Sequence, residues 1–331
     1  MIHPSAVVSC AVPDSSQVAA GAVVGPRVIV GENVIVGANA VIEGSTTLSE
    51  GVKVGPCAVL GTVPQDLKFS GEDTTLFIGP RTVIREMANI NLGTSASGST
   101  IVGADCFIMA YVHIAHDCRV ADGVILANAV NLAGHVSVGR NAVLGGVVPV
   151  HQFTRIGEHA MVGGGYRVPK DVPPFVLAGG EPLRAVGINV LGLKRRGWSA
   201  QQIEQALDAF RFLFRSPGSM RDKVGRALAE NPEGSPGYRM ASFIAASGAG
   251  GDHLRWASAS GDSRGPSVRR QHLGDRDTPQ ESHRSPPEKC RCPGMGAVLQ
   301  RRTAEGAGVR SPAGGSSGLD PLREPPGDPL P

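Results

Sequence analysis

The sequence predicts an all-β domain, a parallel β-helix of hexapeptide repeats, followed by a small α-helical domain. Three observations carry this expectation. Aliphatic residues recur at every sixth position, glycine often follows them directly, and apolar residues take up helical spacing only after Ile188. The marked positions run Val12, Val18, Val24, Val30, Val36, Ile42, Leu48, Val54 and Leu60, then Ile78, Ile84 and Ile90, and from Val102 to Val162 in the same phase. A helix face repeats near 3.6 residues and a half-buried strand near two, so neither produces a strict six. A β-helix does, because each six-residue unit makes one short side and three units close a coil of about eighteen. Small or β-branched residues such as Ala22, Val34, Ala58, Cys118 and Ala142 stand two positions before the aliphatics and are expected to share the interior. The glycines that follow, Gly31, Gly37 and Gly139 among them, are expected to ease tight turning.

Composition agrees with a core stacked from small, similar units. Of 331 residues, 41% are hydrophobic but only 4% aromatic, and Gly reaches 45. A formal net charge of +3, with no long basic helix, argues against nucleic acid as a partner. The six cysteines show no C-x-x-C spacing and no secretory segment precedes them, so they read as reduced thiols. No apolar run reaches the eighteen or so residues of a membrane span. A cytoplasmic protein that is not an integral membrane protein is expected.

Three domains are expected: residues 1–182 as the β-helix, 183–247 as a helical domain, and 248–331 as a disordered tail. Thr62 to Phe77 and Asn91 to Ser99 lack the aliphatic marking without shifting its phase, so both read as loops expelled from coil corners. The first carries Gln65, Asp66 and Lys68, polar groups on an excursion from a rigid scaffold. After Val168 the string PKDVPPFVLAGGEP reads as an exit that ends the coil pattern. Ser199 is placed to cap a helix through Ile203, Leu207, Phe210 and Phe214, with further helices expected over about Met220 to Glu230 and at RMASFIAAS. Beyond about Ser247 too little apolar material remains to offset ordering entropy, and Cys290 and Cys292 lack metal-site spacing.

The chemistry-bearing residues cluster in one stretch of the repeat. His116, Gly134 and Gln152 are successively eighteen apart and are expected to stack on adjacent coils, with Asp117, His135 and Phe153 in the neighbouring column. Histidine suits general-base activation of a hydroxyl near neutral pH, and Asp117 is placed to orient it. The backbone N–H of Gly134 would lie about one coil away, where it can stabilise a tetrahedral oxyanion.

Taken in order, the strings PQDLKFSGE, HIAHDC, NAVNLAGHVSVG, VHQF, MVGGG, DVPPFV and GINVLGLKRRG resemble the UDP-N-acetylglucosamine O-acyltransferase family over most of residues 1–247. The resemblance implies a left-handed coil and transfer of an R-3-hydroxyacyl group from acyl carrier protein to the sugar 3-hydroxyl, the first step of lipid A synthesis in lipopolysaccharide assembly. It implies no cofactor and no metal. By the match, His116 is the general base and Gly134 the oxyanion donor. His113, His135, His151 and Gln152 line the site beside Asp66 and Lys68, which contact the nucleotide sugar. Asn189, Arg195 and Arg196 reach the uridine diphosphate, and Gly164 sets the acyl-chain ruler. It further implies a homotrimer with active sites in clefts between chains, and a basic docking surface for the carrier protein at Lys194, Arg195, Arg196, Arg211, Arg215 and Arg221. Family members end near residue 247, so the tail also reads as the product of a shifted reading frame.

The chain departs from the pattern at Leu191, where a Glu is often found, and at Asn91 and Leu92, which replace a polar, basic pair. Rival readings are another hexapeptide acyltransferase (N-acyl or acetyl-CoA-dependent), a zinc-dependent γ-class carbonic anhydrase, and a non-catalytic scaffold. The rival acyltransferases usually lack QDLK together with GLKRRG, and the carbonic anhydrase needs a different histidine spacing.

Overall fold

A computed structural model describes residues 1–247; the expectations for the tail, Cys290 and Cys292 included, lie outside the described residues. Short strands, most of two residues, fall at nearly every marked aliphatic and form three faces of eight, seven and ten strands, parallel throughout except for the tenth strand of the third face. The chain visits them in strict rotation: Gln17–Val18 on the third face, Val23–Val24 on the first, Ile29–Val30 on the second, then Ile35–Val36 back on the third. Strand partners such as Val23 and Val41, or His113 and Asn131, are eighteen residues apart.

The core is a set of aliphatic columns. Val24, Ile42, Leu60, Ile90, Ile114 and Leu132 are fully buried on one face, and the small residues two positions earlier, Ala22, Ala40, Ala58 and Ala88 among them, are equally enclosed. Both sets point inward, which is why the earlier member of each pair is a small or β-branched residue. Cys118 holds the same place before Val120 on the next face, so enclosed that burial pushes its thiol up to about 12.

The glycines after the aliphatics serve a different purpose from the one their position implied. Gly31, Gly37, Gly79 and Gly139 do not adopt positive φ. A Cβ on Gly37 would stand 2.6 Å from the Pro56 nitrogen, and one on Gly79 would stand 2.5 Å from the Gly103 carbonyl carbon. Close approach of successive coils, not turning freedom, excludes a side chain there. The left-handed corner positions belong mostly to other residues: Asn39, Cys57, Met87, Tyr111 and Val147 on one edge, Asn33, Arg81, Asp105 and Asn141 on another.

The register explains why the two excursions keep the sixfold phase. Val59 pairs with Asn89, thirty residues on, and Asn89 with His113, twenty-four on; against eighteen, the excursions add twelve and six residues. Each is a whole number of rungs. Both leave the prism at one edge, between Val59–Thr62 and Thr75–Ile78 and between Asn89–Asn91 and Ser99–Val102. Thr75 to Phe77, expected in the first loop, already belong to the returning strand.

The proline-rich stretch does not end the coil as expected. Val168 bridges Val150, Val172 bridges Ile156, and Val176–Gly179 pairs with Met161–Val162, so the exit makes one more, slightly shortened turn. Val168, Val172 and Val176 fill its interior, which is why Pro at the flanking positions is tolerated. Arg184–Ile188 then adds an antiparallel strand to the third face.

Four helices follow: α1 (Val190–Arg195), α2 (Ala200–Arg215), α3 (Met220–Glu230) and α4 (Pro236–Ser247). The expected cap holds, since Ser199 and Gln202 form a reciprocal capping box at the start of α2. Ile203, Phe210, Leu213 and Phe214 bury one stripe of that helix. Helix α1 is a short element capped by Asn189 within the stretch where helical spacing begins. The last coil is tied to α4 by Asp171, which accepts from the Arg155 backbone N–H at 2.7 Å, from Arg155 Nε at 2.9 Å and from Ser247 Oγ at 2.7 Å. Among the described residues, no helix is long and apolar enough to cross a membrane.

The coil-contact glycines yield a direct test. Gly37→Ala is expected to lower stability by about 1–3 kcal/mol through overpacking, whereas Gly187→Ala, with nothing within 4 Å of its added Cβ, should stay within about 0.5 kcal/mol of the parent. Thermal or denaturant unfolding of the two variants side by side checks this.

Candidate active site

The edge that releases both excursions also carries the histidines. Between His113–Ile114 on the first face and Arg119–Val120 on the second, the chain turns through His116 and Asp117; the next two coils turn at Gly134 and His135, then at Gln152 and Phe153. Asp117, His135 and Phe153 all adopt positive φ, at 60°, 63° and 63°, so they occupy one equivalent corner position. The His135 N–H donates to the His116 carbonyl at 3.1 Å and the Phe153 N–H to the Gly134 carbonyl at 3.1 Å. The two expected columns are therefore adjacent and in register.

Asp117 sits at the centre of this edge. Its side chain is wholly buried, and each carboxylate oxygen accepts two hydrogen bonds. Oδ1 receives the Thr94 N–H at 3.0 Å and Ser97 Oγ at 2.5 Å; Oδ2 receives Thr94 Oγ1 at 2.7 Å and His116 Nδ1 at 2.7 Å. Burial works to raise this carboxyl, but the bonds from Ser97, Thr94 and His116 outweigh it and hold it at about 2. An ionised Asp117 is an acceptor only, so His116 Nδ1 carries a proton, and in the neutral imidazole Nε2 is the nitrogen with the free lone pair.

The imidazole lies over Gly134. A Cβ there would stand 2.5 Å from His116 Cε1 and 2.7 Å from Nε2, so only glycine leaves room for the ring. Ala133 and His135 donate their N–H groups to neighbouring coils, whereas no backbone carbonyl among the described residues accepts the Gly134 N–H. His135 meets the His116 ring edge-on at 5.1 Å and stacks on Phe153 at 4.5 Å. His113, on the adjoining strand, bonds Asn89 Oδ1 through Nδ1 at 2.9 Å, and burial lowers its affinity for a proton. His151 and Gln152 are exposed at the end of the column.

His116, Asp117 and His135 place potential ligand atoms within 4.8 Å of one another. Four donors already fill the lone-pair positions of Asp117, however, which leaves that carboxylate nothing to offer a cation.

The remaining expected residues lie elsewhere. Gln65, Asp66 and Lys68 sit on the first excursion, where Asp66 Oδ1 accepts the Lys68 N–H at 3.0 Å in a local turn. Among the described residues, no hydrogen bond or ion pair joins them to the histidines. Asn189 is buried and engaged within the fold, its Oδ1 accepting from the Gly192 N–H and its Nδ2 donating to the His159 carbonyl, each at 3.0 Å. Arg195 and Arg196 are exposed at the end of α1, and Arg196 donates to the Gly123 carbonyl at 3.2 Å on the next edge of the prism. Gly164 lies on the third edge, where an added Cβ would meet the Gly146 oxygen at 3.2 Å. Asn91 and Leu92 point inward: the Asn91 amide donates to Thr62 Oγ1 and the Val63 carbonyl at the neck of the first excursion, and Leu92 packs at Gly44.

Sequence reasoning missed Thr94 and Ser97. Spacing places the end of the second excursion beside Asp117, eighteen residues after Ser99, but does not say which of its side chains reach the carboxylate.

Comparison with known proteins fits this fold. A family profile described as "Udp N-acetylglucosamine O-acyltransferase; Domain 2" matches residues 171–251, and one for the bacterial transferase hexapeptide matches 99–134. A Herminiimonas arsenicoxydans protein named acyl-[acyl-carrier-protein]--UDP-N-acetylglucosamine O-acyltransferase is 46% identical over 238 residues, covering 71% of this chain and 91% of that one. The chain belongs to the UDP-N-acetylglucosamine O-acyltransferase family. A protein of the same name from Verminephrobacter eiseniae is 47% identical over 195 residues, 59% of this chain and 74% of that one. Among solved structures, the UDP-N-acetylglucosamine acyltransferase of Bacteroides fragilis superposes with a TM-score of 0.72 at 37% identity, covering 74% of this chain and 97% of that one. The enzyme from Campylobacter jejuni gives 0.69 at 37% identity over 74% and 96%. The fold is thus the expected left-handed parallel β-helix with a helical end, and the chain is an O-acyltransferase.

The buried carboxylate makes a prediction for stability. Its pKa in the folded chain, about 2, lies below the ordinary 3.8, so ionised Asp117 favours folding above about pH 4, and that contribution is lost as pH falls through about 2. The stability gap between the parent and Asp117→Asn is therefore expected to narrow steadily between about pH 4 and pH 2. Unfolding curves across that range provide the measurement.

Proposed function

We propose that this acyltransferase moves an R-3-hydroxyacyl group from acyl carrier protein to the 3-hydroxyl of UDP-N-acetylglucosamine, the step that opens lipid A synthesis, with His116 as general base. The observation that carries the reading is the Asp117–His116–Gly134 arrangement on one edge. His116 Nε2 takes the proton of the sugar hydroxyl as its oxygen attacks the thioester carbon, and Asp117 steadies the imidazolium that forms. The Gly134 N–H donates to the oxyanion of the tetrahedral intermediate, a contribution often worth a few kcal/mol. Collapse breaks the carbon–sulfur bond, and His116 returns its proton to the departing carrier-protein thiolate. Every atom and charge is accounted for by these three groups and the two substrates.

Substrate contacts follow the same reading. His113, His135, His151 and Gln152 line the cleft beside His116, and Gly164 leaves the acyl groove open. Asp66, Lys68 and Gln65 bind the sugar, and Arg195 and Arg196 bind the diphosphate, for which the planar guanidinium is suited. Asn189 serves this end by capping the turn that presents the arginines. Of the six basic residues proposed for carrier-protein docking, Arg211 is already paired with Glu204 and Asp208, and Arg215 donates to the Ala185 carbonyl. Lys194, Arg195, Arg196 and Arg221 then carry more of that role.

A homotrimer working in the cytoplasm completes the proposal. Its support is geometric: Arg196, at the end of α1, bonds a different edge of the prism from the one that bears the histidines, and Leu67, between Asp66 and Lys68, is fully exposed on the first excursion. Neighbouring copies would bring these parts together.

Two experiments test this reading. His116→Ala should lower kcat by about 10²–10⁴-fold while leaving the oligomer and the KM for UDP-N-acetylglucosamine nearly unchanged; full turnover in an assay with a panel of hydroxyacyl carrier proteins would remove His116 from its role. Separately inactive Asp66→Ala and His116→Ala chains, refolded together, should regain activity if one site draws on two chains. Mixtures that stay inactive would place the whole site within one chain.

A further inference from the structure

The second excursion has no assigned part in the reaction, yet it supplies three of the four hydrogen bonds to Asp117. We infer that Thr94, assisted by Ser97, is a positioning residue for acyl transfer: it fixes the Asp117 carboxylate behind His116 and so sets the orientation of the base. This inference rests on the proposed role of His116.

The argument begins with what the prism itself can offer. Its interior at this level is Ile114, Cys118, Val120, Leu132 and Thr100, none of which is hydrogen-bonded to the carboxylate. The Asp117 backbone N–H is held by Thr100 Oγ1 at 2.9 Å, which fixes the corner but not the carboxylate. A buried charge without partners is costly, and His116 alone would satisfy one of four acceptor positions. Thr94 contributes through both its N–H and its hydroxyl, one to each oxygen, and so sets the plane of the carboxylate. Ser97 adds its hydroxyl to Oδ1.

The excursion is stiff enough to do this. Its neck closes at Gly93, where a Cβ would run into the Ser99 backbone. The Thr94 carbonyl accepts the Gly98 N–H at 2.8 Å and Thr94 Oγ1 accepts the Ala96 N–H at 3.2 Å. The strand returning from the first excursion braces it, with Thr74 Oγ1 donating to the Gly93 carbonyl at 2.7 Å and the Thr75 N–H to the Gly98 carbonyl at 3.0 Å. Asn91, just before the neck, holds the start of that same first excursion through Thr62 and Val63. The segment bearing Asp66 and Lys68 is thus connected by direct bonds to the group that orients the base.

The titratable groups facing Asp117 are His116 on its own corner, His135 one coil on with Nε2 at 3.8 Å, and the buried Cys118 thiol, which stays protonated. His113 faces His116 from the preceding strand. With the Thr94 hydroxyl removed, less of the carboxylate charge is shared with neutral donors and more of it falls on His116, which favours the imidazolium.

The test compares Thr94→Val, nearly the same in volume but lacking the hydroxyl, with Thr94→Ser, which restores it. In the valine variant kcat should fall about tenfold, the loss expected of one hydrogen bond to a charged group. The KM for UDP-N-acetylglucosamine should stay within about threefold, and the acidic limb of the kcat–pH profile should move to higher pH. Thr94→Ser should return both kcat and the limb toward the parent, and Ser97→Ala should shift them in the same direction as valine. A Thr94→Val enzyme with parental kcat, or one whose loss leaves the pH limb in place and is not reversed by serine, overturns the inference. The reading of His116 fails separately, if His116→Ala remains active.

Discussion

Everything in this chain depends on main-chain hydrogen bonds between successive coils. Each rung donates to the carbonyls of the next at 2.7–3.2 Å in most cases, which fixes the coil spacing near that of paired strands. At that spacing some backbone pairs pass too closely for a Cβ, hence the glycines at Gly37 and Gly79. The same constraint governs insertions. Extra residues cannot be absorbed within a rung without moving every later side chain off its column, so they leave at a corner and return in whole rungs, twelve at the first excursion and six at the second.

That rule turns one edge of a repetitive scaffold into a chemically distinct place. The prism is packed mainly with Val, Ile and Leu, and none of its inward side chains bonds the Asp117 carboxylate. The excursions bring hydroxyls and a backbone N–H to the edge without disturbing the core. Asp117 can then be buried and ionised at once, and a buried ionised carboxylate defines which nitrogen of His116 is free. Gly134 matters twice over in this arrangement, because its missing side chain makes room for the ring and its N–H is left available.

The helical end contributes by being fastened to the last coil. Asp171, Arg155 and Ser247 join the final turn to α4, while Arg239 pairs with Glu158 and lies over the Phe175 ring at 5.0 Å. Asn189 and Arg196 anchor α1 to the coil in the same way. The exposed arginines of α1 are therefore carried on a fixed platform rather than on a swinging arm, and their distance from the histidine edge is built into the prism.

From the sequence alone came the sixfold rung, the inward pairing of aliphatic and small residues, the two excursions, the capped helix at Ser199, and the stacking of His116 with Gly134 and of Asp117 with His135. All of these follow from spacing, and in a fold whose neighbours are a constant number of residues apart, spacing is position. Tertiary structure alone decided what spacing does not encode. It gave Thr94 and Ser97 their place on Asp117, because an excursion has no fixed period and only its closing contacts say where its side chains go. It carried the chain through one more turn across Pro173 and Pro174, because burial of Val172 and Val176 outweighs the loss of backbone donors there. And it assigned the post-aliphatic glycines to coil contact, since the closeness of two backbones is a property of the assembled prism and of no single residue.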